Sequence, residues 1–152
     1  MSTPSLSHTY FDSTLTAGSY TTEGYDGGYA VLMQTISLTS VSAGTAVSGS
    51  ILIPAGAQII SFEVDTLTAP VAGGGTATTA PITIGTAAAG TQYLSATDCF
   101  AAGRTALTFT AAQLTAMSNV GTNTSVFATV DPNGTISTTQ GVWQVTVTYA
   151  MK

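Results

Sequence analysis

From Tyr29 onward the chain alternates short apolar, β-branched runs with Gly, Pro and Asn turn signals. Val142–Ala150 shows the pattern most clearly, with Trp143, Val145, Val147 and Tyr149 on one side and Gln144, Thr146 and Thr148 on the other. A period of two describes a strand with one buried and one wet face. Gln58–Thr66 alternates in the same way, which predicts Ile60, Phe62 and Val64 inward and Ser61, Glu63 and Asp65 outward. Further strands are expected within Tyr29–Val41, long enough for one strand or two, and at Gly49–Ile53, Pro81–Gly85, Thr91–Leu94, Thr105–Phe109 and Thr124–Val130. Ile82 and Ile84 should face inward, and Leu107 and Phe109 should share a face.

The punctuation between these runs is specific. Pro54-Ala55-Gly56 is a turn signal, and Gly73-Gly74-Gly75 marks Pro70–Thr79 as a loop. Asp131-Pro132-Asn133-Gly134 predicts a hairpin turn, with Pro at the second position and Gly free to take positive φ, and a return along Thr135–Thr138. Thr110 and Gln113 have capping-box spacing. They open the one helix the sequence offers, Ala111–Met117, although the segment could equally be an irregular crossover.

About eight short strands with at most one helix predict an all-β fold: an antiparallel β-sandwich or jelly roll. Parallel α/β architecture is excluded because no helices separate the strands, and no internal repeat suggests a solenoid. Residues 1–28 are expected to be an N-terminal arm, extended for docking or disordered, ahead of a sandwich domain over 29–152. Tyr10, Phe11, Tyr20, Tyr25 and Tyr29 are spaced irregularly there. They either fold back on their own domain or dock on a partner, since Tyr is favoured at interfaces.

Composition strengthens the β reading. Thr is the commonest residue, at roughly one in five, and it suits strands better than helices. Hydrophobic residues make up 44% and charged residues only 6%, a balance opposite to that of a disordered chain. The net charge is −5, and Arg104 and Lys152 are the only Lys or Arg side chains. Two cations cannot neutralise a run of phosphates, so nucleic acid and anionic membrane surfaces are not expected partners. No apolar run approaches the length of a membrane helix. The first residues, Met1 to His8, show neither the basic nor the apolar region of a secretory signal.

Candidate chemistry is sparse. His8 is the sole histidine and lies in the expected arm, where a catalytic base would lack a fixed geometry. Cys99 is the sole cysteine, so no intrachain disulfide can form, and a buried structural thiol is the simpler reading. A structural zinc site needs about four Cys or His ligands, more than the chain has. Glu63 and Asp65, two residues apart on one strand, would project the same way with β-carbons about 7 Å apart. They can be read as a solvated edge that resists strand pairing, as a calcium site, or as a glycoside-hydrolysing pair. Glu23 and Asp26 beside Gly27-Gly28 form a second, sparser calcium candidate. Asn123-Thr124-Ser125 and Asn133-Gly134-Thr135 match the glycosylation pattern but read as turns. Arg104 is expected to pair with Asp98 or Asp131, or to cross a subunit interface. The expectation is no enzyme, no cofactor and no metal.

The series Ile53-Pro54-Ala55-Gly56-Ala57, Ile59–Ala69, Ile82–Gly85, Thr91–Leu94, Ala102-Gly103-Arg104, Val126–Val130 and Val142–Tyr149 resembles the small jelly-roll virion proteins of tailed bacteriophages. These include capsid decoration (cement) proteins and head-fibre base domains, and the resemblance spans roughly Val47 to Lys152. It implies a homotrimer on the outer surface of a phage head, made in the host cytoplasm, whose partners are the major capsid protein and copies of itself. A surface-type composition without an export tag fits particles assembled in the cytoplasm and released by lysis. The alternatives are a head-fibre or tail-tip module recognising a host glycan or protein, favoured by an exposed Trp143 or a Tyr cluster, and a glycoside-active enzyme using Glu63 and Asp65. Candidate interface residues are Tyr10, Phe11, Tyr20, Tyr25, Tyr29 and Arg104.

Overall fold

The computed structural model describes residues 30–40, 45–70, 76–134 and 141–151. They form β1 (Ala30–Thr39), β2 (Val47–Ile53), β3 (Gln58–Thr68), β4 (Pro81–Gly85), β5 (Leu94–Asp98), β6 (Gly103–Thr105), α1 (Ala111–Ser118), β7 (Thr124–Val130) and β8 (Val142–Met151). Two four-stranded antiparallel sheets face each other, ordered β1-β8-β3-β6 and β2-β7-β4-β5. The pairings follow one rule: β1 with β8, β2 with β7, β3 with β6 and β4 with β5. The chain is thus a doubled ribbon rolled up, and the β3–β8 and β4–β7 pairings close the roll into two sheets. This winding is the jelly roll.

The core lies between the sheets. The first contributes Ile36, Leu38, Ile59, Phe62, Val64, Trp143, Val145 and Val147, and the second contributes Ile53, Ile82, Ile84, Leu94, Val126, Ala128 and Val130. Alternation along β8 and β4 places these side chains as the sequence predicts. Trp143 is fully buried and donates its indole N–H to the carbonyl of Cys99 at 2.8 Å. Buried Thr66 donates its hydroxyl to the same carbonyl, also at 2.8 Å. Two donors from the first sheet therefore pin the chain where it leaves β5 for β6. Close approach also depends on glycine: a β-carbon on Gly49 would meet the Ile36 side chain at 2.5 Å, and one on Gly141 would enter the Trp143 ring.

Several local expectations change. Ile60 is not inward: Ile59 is, at 3% exposure, while Ile60 is 49% exposed. A bulge sets Ile60 and Ser61 together opposite Thr148, so the register jumps between Ile59 and Ser61 and the alternation restarts. Leu67 points outward in step with the alternation that runs from Phe62, and a second register shift follows between Thr66 and Thr68. The strand expected at Thr91–Leu94 begins instead at Leu94, because the preceding residues close the β4–β5 loop, with Gln92 Oε1 accepting from the Thr86 amide. Thr105–Phe109 is a strand only up to Thr105, although Leu107 and Phe109 do pack against the core. The helix is present over Ala111–Ser118 with both capping-box hydrogen bonds.

Asp131–Gly134 does not join β7 to β8 as a hairpin, because those strands lie in different sheets. The amides of Asp131 and Asn133 instead donate to the carbonyls of Pro81 and Thr79, extending the β4–β7 pairing before the chain crosses. Thr135–Thr138 and Gly73-Gly74-Gly75 lie outside the described residues.

Candidate docking surface

The outer face of the first sheet follows from its registers. Successive rows across β1, β8 and β3 are Val31–Ala150–Gln58, Met33–Thr148–Ser61, Thr35–Thr146–Glu63 and Ser37–Gln144–Asp65, and β6 adds Arg104 beside Asp65. The middle of the face is therefore a field of hydroxyls and amides. One side of it carries charge, and one end is apolar.

The charged side is a closed triad. Arg104 Nε and Nη2 donate to the two carboxylate oxygens of Asp65, each at 2.9 Å, and Nη1 lies 3.2 Å from Glu63 Oε2. A bidentate guanidinium–carboxylate pair is the strong form of such a contact. Arg104 holds the Asp65 carboxyl below its usual pKa, while Asp65 raises that of Arg104. The expected partners Asp98 and Asp131 are not those of Arg104. Asp98 caps its own turn by accepting from the Ala80 and Phe100 amides.

The triad also decides how Glu63 and Asp65 are read. Asp65 does not sit on an edge, since β6 pairs with Val64–Thr66, and Glu63 lies one residue beyond that pairing. A guanidinium between the two carboxylates opposes binding of a second cation, and among the described residues no three His, Cys, Asp or Glu side chains gather as a metal site. A glycosidic general acid needs a raised pKa, whereas that of Asp65 is lowered.

The apolar end was not anticipated. Val31, Met33 and Ile60 are 58%, 69% and 49% exposed on this face, and Leu32 is exposed beside them on the opposite face of β1. Among the described residues β1 is also an edge strand, paired with β8 alone. Gln34 marks where the core ends, donating to the Tyr149 hydroxyl at 2.6 Å and to the Leu52 carbonyl at 3.4 Å. The sequence did carry a sign of this surface: β1 (AVLMQTISLT) has no charged residue, and its first four residues are apolar without alternation.

Other candidates resolve simply. Cys99 is fully buried, and burial pushes its thiol pKa up, away from reactivity. Asn123 accepts from the Ala55 amide at 2.8 Å and serves the turn there. Trp143, Tyr93 and Tyr149 are all buried, so among the described residues no Trp or Tyr offers a stacking platform for a sugar. Among those residues no helix is long and apolar enough to cross a membrane. Tyr10, Phe11, Tyr20, Tyr25 and Tyr29, together with His8, Glu23 and Asp26, lie outside the described residues.

No family model matches the sequence, and no curated protein matches it. Among solved structures the chain is similar to a chain of the cyanophage Pam1 capsid asymmetric unit, with a TM-score of 0.60 and 20% identity over 85% of this chain and 90% of that one. At that identity the similarity establishes a shared fold.

Proposed function

We propose that this chain is a bacteriophage capsid decoration (cement) protein, which binds the outer surface of the head and stabilises the shell by bridging major capsid protein subunits. The observation that carries the reading is the match, over most of both chains, between this jelly roll and a chain of a phage capsid asymmetric unit. The sequence resemblance to phage virion proteins supports it from an independent direction.

The mechanism is adhesive. A rigid sandwich presents a broad hydroxyl-rich face and an apolar corner, and contact with several shell subunits at once adds avidity without any single tight site. An outwardly acidic particle coat keeps particles apart in solution. The assembly unit is a homotrimer, as the resemblance implies, and residues 1–28 provide the docking arm. Recognition of a host glycan by a fibre module has less support, since Trp143 is buried rather than displayed.

Particles produced without the protein test the reading. They should lose resistance to heat, chelator and osmotic shock, and labelled protein added back should restore it at many copies per head. Unchanged resistance, or a few copies confined to the tail, would overturn it.

A further inference from the structure

The chain holds three asparagines, and their surroundings differ. Asn119 precedes Val120, and its Oδ1 accepts from the Gly121 amide at 2.8 Å. Asn123 precedes Thr124, and its Oδ1 accepts from the Ala55 amide at 2.8 Å. In both, the side-chain carbonyl is engaged, and the next residue is β-branched, which crowds the amide nitrogen it carries. Asn133 differs on each count. It is exposed, its side chain has no hydrogen-bond partner among the described residues, and the next residue is Gly134. The Gly134 amide likewise donates to no described group.

The fold requires that glycine. Gly134 has a φ of 101°, which L side chains avoid, and a β-carbon there would lie 2.5 Å from Thr76 Oγ1. No bulkier residue can therefore shield the Asn133 side chain from the amide that follows it. The Asn133 amide itself donates to the Thr79 carbonyl at 2.9 Å, which places the pair of residues at the end of the β4–β7 pairing.

We propose that Asn133-Gly134 is a modification site at which the folded protein deamidates spontaneously in water. The Gly134 nitrogen gives up its proton to solvent and attacks Asn133 Cγ. The N–Cγ bond forms, the Cγ–Nδ2 bond breaks, and Nδ2 takes a proton from water and leaves as ammonia. Water then opens the five-membered imide. Cleavage of the new N–Cγ bond leaves aspartate, whereas cleavage of the original peptide bond leaves isoaspartate, with the main chain rerouted through the side chain and one methylene longer. Either product adds one negative charge to a chain whose net charge is −5. Isoaspartate also displaces the backbone beside the hydrogen bond to Thr79. The site ages in this way whatever the protein binds.

Incubation of the full chain at pH 7 and at pH 9, followed by brief trypsin cleavage and mass spectrometry, tests the proposal. The stretch Thr105–Lys152 follows Arg104 and carries all three asparagines, so fragmentation of one peptide assigns each of them. Asn133 should convert at least ~10-fold faster than Asn119 or Asn123, equivalent to a barrier lower by roughly 1.4 kcal/mol or more. Its rate should rise from pH 7 to pH 9, because the attacking nitrogen must lose its proton. An Asn133→Gln variant, whose ring would need six members, should keep its charge in isoelectric focusing over the same period. If Asn133 stayed intact while the free peptide Asp-Pro-Asn-Gly-Thr converted, the fold would be holding the amide out of reach and the proposal would be wrong. Conversion of Asn119 or Asn123 as fast as Asn133 would overturn it as well.

Discussion

At the scale of single residues, the most constrained position carries no side chain. Gly141 donates its amide to Ser40 Oγ at 2.8 Å and accepts from the Ser40 amide at 3.0 Å, fastening the ends of β1 and β8. It does so against the face of Trp143, where a methyl group has no room. Gly141→Ala is expected to cost roughly 1–3 kcal/mol, the usual range for overpacking a filled core, and a shift in the urea midpoint with an unchanged slope would show it. Asp65 makes a different prediction. Its folded pKa lies below the unfolded value, so the contribution of its pair with Arg104 is present above about pH 4 and is lost as pH falls through the lowered folded value. Asp65→Asn should therefore be less stable than wild type at neutral pH, and the gap should close under acid. Because the pair is exposed, the gap should also shrink in molar salt. Urea titrations at pH 7 and pH 2.5, and at pH 7 in molar salt, read both effects, and a gap undiminished at pH 2.5 would contradict this account.

At the scale of elements, the sequence revealed strands that keep a strict alternation and misled where the alternation is interrupted. Thr124–Val130 was read to the residue, and β8 to within one residue, because their periods are uninterrupted. The capping box of α1 was legible because Thr110 and Gln113 meet each other locally. β3 was misread at Ile60 because a bulge depends on how a strand meets its partner, and nothing in Gln-Ile-Ile-Ser announces it. The exposed corner was missed for a related reason: an apolar run on β1 looks identical whether it enters the core or leaves it. The bulge makes a contrast that can be measured. Phe62→Ala removes a ring packed 5.8 Å from that of Tyr93 and should cost about 3–5 kcal/mol. Ile60→Thr, two residues away, should change monomer stability by less than about 0.5 kcal/mol. Comparable losses at the two positions would mean that the bulge lies elsewhere.

At the scale of the whole molecule, strand count and fold class were readable but the winding was not. Its pairings join residues too far apart for local signals, as the clasp between Ser40 and Gly141 across 101 residues shows. The same fact orders the folding reaction. The loop between β4 and β5 is closed locally, by a hydrogen bond between residues six apart. Closing the β1–β8 loop costs roughly 2–3 kcal/mol more in chain entropy, and that cost falls as the inner pairs form and shorten the open chain. The ribbon should therefore zip from β4–β5 outward, with β1 and β8 joining late. Ile82→Ala in β4 is expected to slow refolding, whereas Val147→Ala in β8 should mainly speed unfolding, although both side chains are fully buried. Stopped-flow chevrons separate the two effects. If Val147→Ala slowed refolding as much as Ile82→Ala, the outer ribbon would already be paired in the transition state and the outward order would be wrong.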